Sequence, residues 1–397
     1  MNGYSEYEIT IGVIVDFSVS AELADLTRGV AKVLAPFGGA YYGEHARDRE
    51  PCAEAWTALG DAGFIGVNIP EEYGGGGAGM LELALVTEES AAQGVPLLLL
   101  LVSSAICAEV ISTFGSTAQK ERWLPALADG RSKMSFAITE PDAGSNTHEI
   151  STNAVRDGDG WLLNGSKYYI SGVDEADAIL VVARTGRDAE GKPLMSLFVV
   201  PTDAAGLERS RIEMDIALPE KQFTLFFGDV RLPADALIGE EGNGFQQVFH
   251  GLNPERITGA ALLVGIARYA LGRAAAYARE REVWGVAIGT HQGLSHPLAK
   301  ASMETELAAL MMRKAAWLHD NGLPAGEASN TAKYAAAEAA LNAIDAAIQT
   351  HGGNGLAHEY GLMPYWGMAR LLRIAPVSRE MILNFIAQHS LKLPRSY

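Results

Sequence analysis

The hydrophobic period of this chain changes twice, and that pattern restricts the architecture more than any single motif does. Apolar spacing is helical from about residue 18 to 133, strand-like from 134 to 243, and helical again from 244 to 397. One strand block between two helical blocks excludes a doubly wound sheet, which needs strands and helices in alternation. The expectation is an α+β chain of three domains at those boundaries, with residues 1–17 as an unassigned leader. The middle block holds short apolar runs at 179–183, 197–200 and 223–227, bounded by Gly186, Gly191 and Pro201, which predicts a small antiparallel β-barrel or sandwich. The last block reads as four helices, 257–281, 292–319, 329–351 and 377–390, hence a four-helix bundle. No G-x-G-x-x-G occurs, and the Gly74–Gly77 run lacks a following Lys-Ser/Thr, so neither dinucleotide nor Walker signature is present.

Composition removes other functions. A net charge of −17 opposes binding to nucleic acid or an anionic membrane. Two cysteines, Cys52 and Cys107, and nine histidines without ligand spacing suggest a reducing compartment and no metal. The apolar run 96–111 is shorter than the ~20 residues of a membrane span and contains Glu109, so a buried helix is expected. The N-terminus lacks a basic n-region, and a cytoplasmic location is the expectation.

Two short pieces in the strand block carry the polar chemistry. Phe136-Ala-Ile-Thr-Glu-Pro-Asp-Ala-Gly-Ser-Asn-Thr147 reads as a strand end followed by a turn at Pro141 and Gly144. Such a turn leaves backbone N–H groups and the Thr139 and Ser145 hydroxyls available to a polar ligand. Asp157-Gly-Asp-Gly160 is a hairpin signal that folds Trp161-Leu-Leu-Asn-Gly-Ser-Lys-Tyr-Tyr-Ile-Ser-Gly172 back beside it. Alternation would send Tyr168 and Tyr169 to opposite faces.

T-E-P-x-A-G-S followed by N-G-x-K-x-(aromatic)-I-S resembles the flavin-binding middle domain of acyl-CoA dehydrogenases. The segments 69–75 (I-P-E-E-Y-G-G) and 115–125 (G-x-x-x-Q-K…L-P) resemble the same family, and the resemblance spans about 50 to 390. It implies FAD as cofactor, with Phe136, Ile138, Thr139 and Ser145 against the flavin or the thioester, Tyr169 stacked on the ring and Ser171 near its redox edge. Arg281, Trp284 and Gln292 resemble the R-x-x-F-G…Q segment, and Gln349, Gly352 and Gly353 the Q-x-x-G-G-x-G segment, which meet the cofactor pyrophosphate across a subunit interface. A homodimer or homotetramer follows from that.

The base is expected at Glu255. By its local sequence alone, Gly251-Leu-Asn-Pro-Glu-Arg256 reads as a helix start, with Asn253 as cap, Pro254 at the first position and Glu255 favoured by the helix dipole. By resemblance to isovaleryl- and long-chain acyl-CoA dehydrogenases, Glu255 is the carboxylate that removes the α-proton while the β-hydride leaves for flavin N5. The other position the family uses for this Glu carries Pro376, which also lacks the N–H that would hold the thioester carbonyl; Val377, one residue on, would restore it. Ser145, Asn253 and Arg256 are the expected substrate contacts. The implied reaction is α,β-desaturation of an acyl-CoA (or acyl carrier protein) thioester, fatty or branched, with electrons passed to an electron-transfer flavoprotein. Alternatives on the same scaffold are a nitroalkane-oxidase-like or monooxygenase-like flavoenzyme, or a catalytically silent flavin-binding subunit.

Overall fold

The computed structural model describes residues 20–395, so the expected leader 1–17 lies outside the described residues. Ser20 caps α1 (Ala21–Leu34) by accepting from the Leu23 N–H. After it come α2 (Gly38–Asp48), α3 (Ala53–Asp61) and α4 (Met80–Ala92). The apolar run 96–111 forms a buried π-helical stretch, Leu100–Ala108, continued by α5 (Glu109–Phe114). No helix among the described residues is long and apolar enough to cross a membrane.

Helix α6 (Thr117–Ala128) opens with a capping box. Ser116 Oγ accepts from the Gln119 N–H, and Gln119 Oε1 accepts from the Ser116 N–H at 2.8 Å. The Gln119 amide then donates to the carbonyls of Asp235 and Leu237, at 2.7 and 2.8 Å. One glutamine thereby starts the helix and ties it to the strand block.

That block contains β1 (Met134–Ala137), β2 (Asn153–Asp157), β3 (Gly160–Ser171), β4 (Ala178–Arg187), β5 (Pro193–Pro201), β6 (Leu207–Ile212), β7 (Gln222–Leu232) and β8 (Leu237–Ile238). The order is β6-β7-β3-β2-β4-β5-β8, with β1 beside β4. The expected hairpin is present, pairing Asp157 with Gly160. The wholly antiparallel sheet is not: β1 runs parallel to β4, and Asn153 of β2 meets Arg184 of β4 in parallel. β1 enters from the helical block and reaches β4 by a long crossover, and parallel pairing requires such a connection. Strand β4 is buried on both faces. Ile179, Val181 and Ala183 join a core with Trp161 and Phe198, whereas Leu180 and Val182 join one with Ile111 and Leu124 of the helices. Burial on both sides explains why this run is continuously apolar.

The last block departs from four helices. It holds α7 (Gly244–Glu280), a small hairpin of β9 (Glu282–Val283) and β10 (Val286–Ala287), then α8 (Gln292–Asp320), α9 (Gly326–His351), α10 (Met363–Ile374) and α11 (Arg379–Phe385). Helix α10 falls between the third and fourth expected segments and adds a helix to the four. Its Pro364 sits in the first turn, where no N–H is needed. Helix α7 is 37 residues long, so Pro254 lies inside it and Asn253 caps nothing. Gly265 allows α7 to touch α4, since a Cβ there would meet the Glu88 carbonyl oxygen at 2.1 Å. Asp320, at the end of α8, accepts from the Met80 and Leu81 N–H groups at 2.7 and 3.0 Å and so caps α4 from the other helical block.

Candidate active site

The T-E-P turn is anchored from beneath. Glu140 and Ala143 exchange backbone hydrogen bonds of 3.1 and 3.2 Å, closing the turn. The fully buried Lys167 of β3 donates to Glu140 Oε1 at 3.0 Å and to the Ile138 carbonyl at 2.9 Å. Glu140 also accepts from the Ser151 N–H, the Ser151 hydroxyl and the Thr152 N–H at 2.7–2.9 Å. Burial opposes the Glu140 charge, but Lys167 and these donors outweigh it and hold the carboxyl down at about 2. Burial draws the Lys167 ammonium down to about 8, against the support of Glu140. The Tyr168 N–H donates to the Thr139 carbonyl at 2.9 Å, so both motifs are joined at their tips. Among the described residues the Thr139 and Ser145 hydroxyls have no hydrogen-bond partner.

Tyr168 and Tyr169 are not on opposite faces. The β3–β7 register shifts between Lys167 and Ile170, and Tyr169 takes a φ of +57°. A bulge sets two residues against one and breaks the alternation. The two rings lie 4.2 Å apart, and Tyr169 is 50% exposed. Two residues on, the Ser171 hydroxyl donates to Gln222 Oε1 at 2.9 Å. The buried Gln222 Nε2 has no hydrogen-bond partner among the described residues. Nothing in the local sequence marks Gln222; only strand pairing brings it beside Ser171.

Glu255 projects from α7 three turns in, so the helix-dipole account of its presence fails. It is buried, and its Oε2 has no hydrogen-bond partner. Burial pushes its carboxyl up to about 8, although Arg256 and Lys333 favour the charge. Arg256 donates to Asn253 Oδ1 at 3.1 Å, while its buried Nε is unpartnered. Glu255 also acts on the buried Cys107 thiol, which burial first and this carboxylate second push upward. Cys107 Sγ is 3.5 Å from the Ser135 carbonyl, and Ser135 Oγ donates to the Ser171 carbonyl at 2.9 Å. Ser135 thereby joins Cys107 to the end of β3 at Ser171.

Asn253 lines an open cleft of about 670 Å³ between the helical blocks, together with Met80, Glu109, His250 and His319. Glu109 Oε1 lies 3.4 Å from His250 Nε2 and 3.9 Å from His319 Nε2. Burial would raise the Glu109 carboxyl, but the two neighbouring imidazoles hold it down at about 2. The three side chains set potential ligand atoms within 4.8 Å of one another. Their positions are too far apart in the chain for any spacing rule to pair them.

The remaining expected cofactor contacts gather elsewhere, at one end of the helical bundle. Arg281 closes α7, Trp284 is 89% exposed on the hairpin, and Gln292 begins α8. Gln349 ends α9, and Gly352 and Gly353 lie open, with nothing within 4 Å of a Cβ built on either. Tyr277, one turn before Arg281, stacks on His351 at 4.3 Å and binds Asn354 through its hydroxyl, drawing these ends together.

The sequence matches three family profiles in chain order: Acyl-CoA dehydrogenase, N-terminal domain, over 22–131; middle domain, over 135–230; and C-terminal domain, over 242–391. It is 56% identical over 383 residues to the acyl-CoA dehydrogenase FadE12 of Mycobacterium tuberculosis, covering 96% of this chain and 99% of that one. Among solved structures, the glutaryl-coenzyme A dehydrogenase glutaryl-CoA complex superposes with a TM-score of 0.91 at 33% identity, covering 96% and 98% of the two chains. The FAD complex of PigA superposes with a TM-score of 0.89 at 26% identity, covering 95% and 99%.

Proposed function

The chain belongs to the acyl-CoA dehydrogenase family, with FAD as its cofactor, and on that premise we propose that Glu255 is the base that removes the α-proton of an acyl thioester. The observation that carries this is the buried carboxylate whose Oε2 no group of the described residues satisfies. Burial raises its proton affinity into the range where it can take a weakly acidic proton and release it again. FAD, when bound, supplies the acceptor for the β-hydride. Phe136, Ile138, Thr139, Tyr169 and Ser171 form its seat, with the spare Gln222 donor beside Ser171.

Ser145, Asn253 and Arg256 orient the thioester, and the cleft beside Asn253 admits its polar part. The Val377 N–H, without a partner among the described residues, is suited to hold the carbonyl in place of Pro376. Arg281, Trp284, Gln292, Gln349, Gly352 and Gly353 serve the pyrophosphate of a neighbouring subunit, as the resemblance of their two segments to the family implies. The assembly is then a homodimer or homotetramer, divided in each chain at about 133 and 243. It works in the cytoplasm and passes electrons to an electron-transfer flavoprotein.

Anaerobic mixing of the flavin-loaded protein with a panel of acyl-CoAs tests the reading. Bleaching of the visible flavin band by one chain type is expected and names the substrate. Rapid reoxidation by oxygen would point to an oxidase-like enzyme instead, and no bleaching by any thioester would sink the dehydrogenase mechanism. Separately, Arg281→Ala removes one charge-assisted contact to phosphate. It is expected to weaken FAD retention about 10- to 100-fold, read by flavin fluorescence on dilution, while the monomer fold is kept.

A further inference from the structure

We propose that Glu109, His250 and His319 form a binding site for a divalent transition-metal ion, zinc foremost, on the wall of the cleft between the helical blocks. Glu109 is the single charged residue of the apolar run 96–111 and stands at the start of α5. The chemistry proposed at Glu255 does not use it. Among the described residues no lysine or arginine pairs with its carboxylate; two imidazoles do, one from α7 and one from α8, both closest to Oε1. One ammonium or guanidinium would neutralise such a carboxylate with a single side chain. Two imidazole nitrogens and a carboxylate oxygen, gathered from three helices, are the donor set that zinc takes in two-histidine, one-glutamate sites. Spacing along the chain points to no metal, because positions 109, 250 and 319 meet only in the folded molecule.

The separations are close to those an ion needs. With metal–ligand bonds of about 2.0–2.1 Å, the donors of a tetrahedral zinc stand roughly 3.3 Å apart. Glu109 Oε1 is 3.4 Å from His250 Nε2 and 3.9 Å from His319 Nε2, and the three ligand atoms all fall within 4.8 Å of one another. Small side-chain rotations close the rest. The surroundings hold the ligands in place. The His250 ring meets Phe114 edge-on, with centroids 5.4 Å apart. Asp320, next to His319, commits both carboxylate oxygens to the N–H groups of Met80 and Leu81, which fixes the end of α8 and keeps Asp320 out of the ligand set. The Thr113 hydroxyl, 3.3 Å from His250 Nε2, is placed to bond a water on the ion. Three protein ligands leave a fourth position, and it faces the cleft that all three side chains line. An ion here joins the first helical block to the last.

The test is equilibrium dialysis of the flavin-loaded protein, stripped of metal by a chelator, against zinc, with bound metal counted by mass spectrometry. The wild type is expected to hold one ion per chain. Glu109→Gln, His250→Gln and His319→Gln should each weaken uptake by about 100-fold, the upper end of the loss that even outer-sphere changes produce. His296→Gln alters an exposed imidazole elsewhere on α8 and should bind zinc as the wild type does. No uptake by the wild type, equal uptake by the three ligand variants, or an equal loss in His296→Gln would overturn the site.

Flavin content and circular dichroism report whether each variant folds. If a ligand variant does not, anomalous diffraction at the zinc edge from wild-type crystals grown with zinc decides. A peak bonded to the three side chains is expected, and peaks only elsewhere, or none, refute the proposal. Because the readout is bound metal, the site stands or falls independently of Glu255.

Discussion

Glu255→Gln is expected to slow flavin bleaching by about 10³- to 10⁴-fold with FAD still bound, the range of a lost general base. Glutamine has nearly the same shape, so the packing around α7 is preserved, and only the proton acceptor is gone. Two pH signatures accompany the loss. In the wild type kcat/KM should rise with pH through about 8, because the carboxyl must ionise to act and burial opposes this. Stability runs the other way. A carboxyl whose folded value is raised from 4.5 contributes stability that is fully present below its unfolded value and lost as pH rises toward 8. Glu255→Gln removes that loss and should raise Tm by roughly 1–3 °C at pH 8. A variant that keeps near wild-type bleaching would remove Glu255 from the mechanism.

The second large effect is on stability. Lys167→Met leaves Glu140 as a buried carboxylate without its counter-ion, at an expected cost of about 3–5 kcal/mol. The turn carrying Thr139 and Ser145 should loosen first, so flavin is expected to leave before the sheet melts, visible as a fluorescence transition below the circular-dichroism one. Lys167→Met combined with Glu140→Leu should recover much of the loss, because the unpaired charge is removed too. Coincident transitions and no recovery in the double variant would argue against the ion pair as the anchor. In the wild type this carboxyl is held at about 2, so its contribution is fully present above the ordinary carboxylate range and is lost progressively as pH falls from 4.5 through about 2. The Lys167 ammonium, drawn down to about 8, still carries its charge at neutral pH.

Much of this arrangement could be read along the chain. The switches of period located the strand block, Asp157-Gly-Asp-Gly160 located the hairpin, and the two motifs located the turn and strand that meet at Thr139 and Tyr168. Glu255 was identifiable from its motif as a carboxylate in a helical segment. The local rules failed where a packed environment overrode them. Pro254 reads as a helix start, yet α7 begins at Gly244, because a long buried helix absorbs one missing hydrogen bond. Strict alternation separates Tyr168 from Tyr169, yet a bulge brings their rings together.

The sequence by itself determined the order of the blocks, which faces are apolar and where the reactive residue types stand, since each of these depends on neighbours a few positions away. Only the tertiary structure decided which polar groups lose their water and what they meet when they do. Gln119 on the Asp235 and Leu237 carbonyls, Lys333 on Val377, and Glu109 between His250 and His319 are all contacts between segments distant in the chain. The raised carboxyl of Glu255 belongs with them, because desolvation is a property of the packed surroundings and not of the residue.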